Sequence, residues 1–424
     1  MQATFDRKKE LLFYKEHVEK QLLPFWHKAV DERYGGMFTC FSNDGTVQVS
    51  RDKYTWSQGR YVWLWSRLAD CCRRGLFEGD AERYLRQAGE AVRFLQAHGV
   101  LESGNCAFLL AEDGTPKEPI AGKGYDTSFF ADCFVVMGAS EYARVSGEAE
   151  ALAWALERYD SIRRRLEAGT QRSEPYPTPA GLEAHSVPMI MLNVAQELAA
   201  ALEAAGHSRA GEVRGDAAAY MDRILTVFVQ PDYTVAELVA VDERLDDTVL
   251  ARHLNPGHAI ECMWFVLAEA KRLGRTDAVK AAVNVTKKAF AMGWDEQYGG
   301  LLHYVDREGG APQGREIGDG FERNVVETWE TKLWWPHSEA LYTLLLADAM
   351  TGCDDAELHR LYELTQAYTF ATFPQPDPAI GEWIQIRDRA GEPLTKVVAL
   401  PVKDPYHILR NLILIVELLN EQPK

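Results

Sequence analysis

The chain contains no P-loop, no G-x-G-x-x-G after a strand-like run, no H-E-x-x-H and no Gly-x-Ser-x-Gly elbow. The local sequence signals for phosphate cradles, dinucleotide sites, zinc-protease helices and serine-hydrolase turns are therefore missing. Any reaction is expected to need neither a nicotinamide nor a metal, and no cofactor is assigned. No stretch of about 18 uncharged apolar residues exists to span a bilayer, and the first ten residues, Met1 to Glu10, lack the apolar core of a signal peptide. Basic residues are in deficit, with 46 Lys and Arg against 63 Asp and Glu for a net charge of -17. A field of that sign argues against nucleic acid and anionic membranes as partners. None of the seven cysteines forms a C-x-x-C pair, and Cys71 and Cys72 are adjacent. Free thiols in a reducing, cytoplasmic compartment are expected, which leaves the Asn284-Val285-Thr286 sequon silent.

Apolar and aromatic side chains are plentiful, at 46% and 11% of residues with 11 Trp, enough for a large core and for stacking surfaces in a sugar cleft. Amphipathic helical periods cover 7–23, 56–75, 81–98, 125–146, 149–166, 187–204, 209–229, 256–273, 277–291, 334–351, 355–372 and 405–420. They are spread evenly, with no low-complexity linker between them, so a single catalytic domain over 1–424 is the simpler organisation. An internal echo supports this. The run Asp31-Glu32-Arg33-Tyr34-Gly35-Gly36 recurs as Asp295-Glu296-Gln297-Tyr298-Gly299-Gly300, each copy between a helix and a short apolar piece, and Gly381-Glu382-Trp383 is a third relative. Paired glycines permit positive φ where a chain reverses after a helix. About six helical hairpins without atypical polar end repeats predict a closed ring, an all-α (α/α)6 barrel with short β-hairpins in the loops at one mouth.

Two distant segments, Asn255-Pro256-Gly257-His258-Ala259-Ile260-Glu261 and Lys403-Asp404-Pro405-Tyr406-His407, each bring a histidine to a place where packing alone would accept any core residue. A facing pair of imidazoles suits proton transfer at a carbon beside a carbonyl. Asn255 is an N-cap and Pro256 a first helical residue, so His258, Glu261 and Trp264 share one face. The helix N-terminus favours neutral His258 and Glu261 its cation, which poises the ring. Trp334-Trp335-Pro336-His337-Ser338-Glu339 has the same grammar, with Trp335 placed to stack on a sugar, Glu339 to accept a hydroxyl, and Trp334 read as packing under a loop. Arg60, in an aromatic first turn after Tyr54, is either an ion pair that closes the barrel or a fixed cation facing an enolate oxygen. His185, His253 and His303 lie at loops near the mouth and carry no assigned role.

At Lys53-Tyr54-x-Trp56-x-Gln58-Gly59-Arg60, Asn255-Pro256-Gly257-His258, Leu333-Trp334-Trp335-Pro336-His337-Ser338-Glu339-Ala340 and Gly381-Glu382-Trp383 the chain resembles the N-acylglucosamine 2-epimerase (renin-binding protein) family. Cys106-Ala107-Phe108 and Val187-Pro188-Met189 extend the likeness over nearly the whole chain. The resemblance implies an (α/α)6 barrel, often dimeric, that inverts C2 of a free N-acylated sugar. It makes His258 and His407 the acid/base pair, with Arg60 and Glu261 steadying the reacting oxygens and Trp335 and Glu339 holding the sugar. Tyr54, Trp264, Tyr406 and Lys403, in the same runs, join them as candidate sugar contacts. Mammalian members respond to nucleotides, but no nucleotide site is evident in this sequence. One loop departs from the family pattern, with Ala399-Leu400 in place of a Gly pair and Pro405 in place of Cys, so the pocket's preference at C2 is open. Mannose- or cellobiose-type 2-epimerisation and aldose–ketose isomerisation are the nearest rivals. A two-carboxylate glycoside hydrolase using Glu261 and Glu339 and a non-enzymatic partner-binding protein stand further off.

Overall fold

The computed structural model describes residues 5–395 and 401–421. Six helices form an inner ring: Thr55–Arg73, Phe130–Ser146, Ser186–Ala204, Pro256–Leu273, Trp334–Met350 and Tyr406–Glu421. Outer helices alternate with them along the chain, at 7–28, Ala81–Phe94, Ala149–Ala168, Ala210–Arg223, Thr276–Gly293 and Ala356–Thr372. Each inner helix packs on the next, and the Tyr406 helix closes on the Thr55 helix. This is the (α/α)6 barrel that the hairpin count predicts.

The two rings differ in sequence because they differ in burial. In Ala81–Phe94 the buried Tyr84, Gln87, Ala88, Ala91 and Val92 recur at three and four residues, a single apolar stripe facing inward. The inner Phe130 helix is buried at every position from Ala131 to Ala143. Aspartates 6, 80 and 355 cap three outer helices by accepting from backbone N–H groups in the first turn. Two inner helices come into unusually close contact. A Cβ on Gly59 would stand 2.3 Å from the Phe134 carbonyl oxygen, and one on Gly138 would stand 2.3 Å from the Gly59 oxygen. Only glycine at both positions allows that approach, and it lays Arg60, the next residue, 4.0 Å above the Phe134 ring.

The periodicity locates every helix in both rings, with three differences. The helix expected from 125 begins at Phe130, because Thr127 and Phe129 are held instead by main-chain bonds to Glu174 and Arg172. The first helix continues past Pro24 to Lys28 through a widened turn at His17–Leu22, which absorbs the missing N–H of the proline. Two short helices outside the rings, Val249–Arg252 capped by Thr248 and Gly320–Thr328 capped by Asp319, fall outside the periods.

Four small antiparallel sheets gather at one mouth. Lys53–Tyr54, Leu182–Ala184, His253–Leu254 and Lys332–Leu333 each pair there, just ahead of an inner helix. The repeated sequence motif now has a physical meaning. Lys53 Nζ lies 2.7 Å from Asp31 and donates to the Gly35 and Glu112 carbonyls. Lys332 repeats this with Asp295, Gly299 and Gly300, and Lys403 with Glu382, Asn43 and Trp383. Lys53 and Lys332 spend all three ammonium protons this way, and Lys403 spends two on carbonyls and sets its charge against Glu382. A buried lysine thus ties the turn after an outer helix to the residues leading into an inner one. Lys53→Met, which leaves Asp31 buried without its cation, is expected to cost about 3–5 kcal/mol in chemical denaturation. Lys332→Met should cost less, because Arg389 also bonds Asp295, at 2.8 Å.

Candidate active site

The first turns of all six inner helices face one cavity of about 350 Å³ at this mouth. Asn255 caps the Pro256 helix by accepting from His258 N at 3.1 Å, which sets the His258 side chain on the cavity wall. His258 Nδ1 lies 2.8 Å from Glu237 Oε1. A carboxylate only accepts, so the Nδ1 proton is held there and Nε2 is left for the cavity. Burial alone would pull the His258 pKa down, but the charge and hydrogen bond of Glu237 more than offset it and the value is raised. Burial would raise Glu237, yet His258 and His185 hold it well below the usual carboxylate range.

His407 is built the same way. Its Nδ1 donates to Glu339 Oε1 at 2.7 Å, while Nε2 lies 3.5 Å from an Arg60 nitrogen and 3.6 Å from Asp404. The Trp335 ring stands next to both imidazoles, 5.1 Å from His258 and 5.8 Å from His407. Gly257 makes this possible, since a Cβ there would come within 2.6 Å of the indole. Arg60 is fixed by Asp404 at 3.2 Å, and Tyr406 presents its face to Arg60 and Arg410 at 5.2 and 4.4 Å. His258, His407, Arg60, Glu261, Trp335 and Tyr406 all line the one cavity.

Other expectations need correction. Glu339 is fully buried, and its oxygens already accept from His407, Arg410 and Trp264. It therefore orients groups rather than meeting a sugar hydroxyl. Burial pushes its pKa up, but Arg410 and then His407 prevail and hold it at about 2. Trp264 sits behind the wall with its indole N–H on Glu339 at 2.8 Å. Tyr54 packs edge-on against Phe108, and Trp56, two residues on, lines the cavity in its place. Lys403 is one of the buried clasps. Glu261 takes a bond from Arg410 at 2.6 Å, and the carboxylate touching His258 is Glu237 instead, a residue that the sequence reading missed. Trp334, read as loop packing, shares the cavity wall with Trp335. Glu261, Glu339 and His407 offer three donor atoms within 4.8 Å of one another, but the Arg410 guanidinium lies 2.6 Å from both carboxylates and supplies the charge a cation would bring. Ala399 and Leu400 lie outside the described residues.

The family model described as N-acylglucosamine 2-epimerase (GlcNAc 2-epimerase) matches residues 36–411. An N-acylglucosamine 2-epimerase from Bos taurus is 34% identical over 96% of this chain and 91% of its own. Its counterpart from Homo sapiens is 31% identical over 98% and 93%. Among solved structures, a cellobiose 2-epimerase from Bacillus thermoamylovorans superposes with a TM-score of 0.73 over 97% of this chain and 99% of that one, at 18% identity, which shows the shared fold.

Glu237→Gln removes the charge that favours the His258 cation. Its titration midpoint, followed by NMR, should fall; an unchanged or higher midpoint would contradict the pairing. Gly257→Ala should push Trp335 off the His258 ring and change the ring-current shift of the imidazole protons.

Proposed function

We propose that this chain, which belongs to the N-acylglucosamine 2-epimerase family and is a sugar 2-epimerase, interconverts an N-acylglucosamine and the matching N-acylmannosamine by moving a proton at C2. One observation carries the reading: two imidazoles from helices distant in the chain share a cavity, each with Nδ1 anchored on a buried carboxylate. Two bases on one carbon are what inversion requires. The N-acyl preference is supported by relatives that carry that name over more than nine-tenths of the chain and by apolar Met189, Ile190 and Phe265 in the wall, which suit an acyl methyl.

The sugar binds and opens to its aldehyde. One histidine Nε2 takes the C2 proton, the C–H electron pair moves between C2 and C1, and the carbonyl oxygen becomes an enolate. The other histidine, protonated beforehand, returns a proton from its Nε2 to the opposite face of C2, giving the epimer. The two rings exchange protonation states in the step and regain them by proton exchange with solvent. Arg60, a fixed cation beside His407, steadies the enolate oxygen, and preorganised charge of this kind needs no rearrangement during reaction. Trp335, next to both imidazoles, offers the stacking face. The chain works as one catalytic unit, since its last inner helix seals the ring against the first. A cytoplasmic homodimer completes the reading; seven unpaired cysteines support the reducing setting.

Incubation with free sugars in D₂O tests the proposal. Deuterium should enter C2 of an N-acylated hexosamine and the product should be its epimer; a ketose product would make the enzyme an isomerase. His258→Asn and His407→Asn should each lower turnover by about 10²- to 10⁴-fold with the helical circular dichroism retained. Near-normal turnover in both variants would defeat the assignment.

A further inference from the structure

We infer that His303 reads the substrate: its Nε2 is a standing hydrogen-bond acceptor for an O–H or N–H donor of the bound sugar. The inference rests on the cavity being the sugar site. Thr328, on the short helix Gly320–Thr328 that the sequence did not foretell, has one hydroxyl proton, and it donates that proton to the Asn324 carbonyl at 2.8 Å. Toward His303 Nδ1, 3.1 Å away, the threonine oxygen can therefore only accept. The imidazole proton must sit on Nδ1, and a neutral ring has no second one, so Nε2 carries a bare lone pair. Among the described residues Nε2 has no protein partner and is not sealed by packing, and His303 lines the cavity.

The other unassigned histidines do not share this arrangement. His337 is satisfied at both nitrogens, by the Leu333 carbonyl and the Leu301 N–H. His253 bonds the Leu250 carbonyl and has its Nε2 buried, and both nitrogens of His185 are sealed. His303 also differs from the catalytic pair. Its Nδ1 partner is a hydroxyl rather than a carboxylate, so no anion sits at that nitrogen, and burial lowers the pKa by more than the hydrogen bonding at Thr328 raises it. Burial, reinforced by the nearby His258, pushes its pKa down to about 3, and the ring stays an acceptor throughout turnover. An acceptor left bare in a buried wall is a penalty that a donor on the ligand removes, and a site built this way rejects analogues lacking that donor.

Phenylalanine keeps an aromatic ring to stack on Tyr304, 3.8 Å away, but removes the Nε2 acceptor together with the Nδ1 donor to Thr328. His303→Phe should weaken sugar binding, measured by calorimetry, and raise KM by about 10-fold or more, while kcat changes only a few-fold. His303→Gln, which can return an oxygen near the Nε2 position, should recover most of the loss. Thr328→Val, which frees the tautomer, should fall between the two and serves as the test if the phenylalanine variant does not fold. Binding of N-acylglucosamine, glucose and singly deoxygenated sugars to wild type and His303→Phe then finds the donor. The analogue that binds both proteins equally lacks the group His303 reads, which separates a C2 acylamino N–H from a ring hydroxyl. If folded His303→Phe, or Thr328→Val in its place, binds every sugar as tightly as wild type, the inference falls while the epimerase reading stands. A wild-type protein that binds none of these sugars overturns both.

Discussion

Glu339 is a carboxylate with no access to water at the base of a largely apolar cavity, and the site is arranged around the need to keep it paired. Burying such a charge alone is prohibitive. Arg410, His407 and Trp264 all aim donors at it, and Arg410 is shared with Glu261. Once Glu339 is held, the orientation of His407 follows, because the carboxylate claims Nδ1 and only Nε2 is left to face a substrate. The stacking of Arg410 on Tyr406 follows too.

Glu237 does for His258 what Glu339 does for His407, but from a loop bend rather than a helix. Two buried acceptors from different parts of the chain thus set two imidazoles in the same tautomer at one cavity. Each histidine begins near the N-terminus of an inner helix, and those N-termini meet at one mouth only because the hairpins all run the same way round the ring. The three lysine clasps fasten the loops there, and the mutual approach of Gly59 and Gly138 brings Arg60 into place. Stability and function are built from the same turns.

Much of the fold was legible in the sequence. Twelve helical periods and the recurring Asp and Gly-Gly turns were enough to predict the closed ring, because amphipathic spacing reports burial directly. The errors fell where local rules yield to tertiary contacts: Pro24 inside a helix, and Thr127 and Phe129 drawn out of one by main-chain pairing. The catalytic candidates were legible as well, since Asn255-Pro256-Gly257-His258 is a capped helix start with a glycine that the neighbouring Trp335 and Pro336 explain. Tyr54, Trp264, Glu339 and Lys403 were overread because a residue inside a striking run need not face the cavity. Lys403 looked like a sugar ligand and is a structural clasp, whose role depends on Glu382 and two carbonyls distant in sequence.

The sequence by itself determined the class of architecture, the helix starts that carry His258 and His407, and the glycines needed for close approach. These follow from local physics: periodicity, capping and steric room act within a few residues of one another. Only the tertiary structure decided which carboxylate serves which histidine, that Glu339 orients rather than binds, and that His303 keeps a free acceptor in the wall. Those outcomes turn on which single proton or lone pair is left over when segments far apart in the chain come within 3 Å, and no spacing along one chain records that.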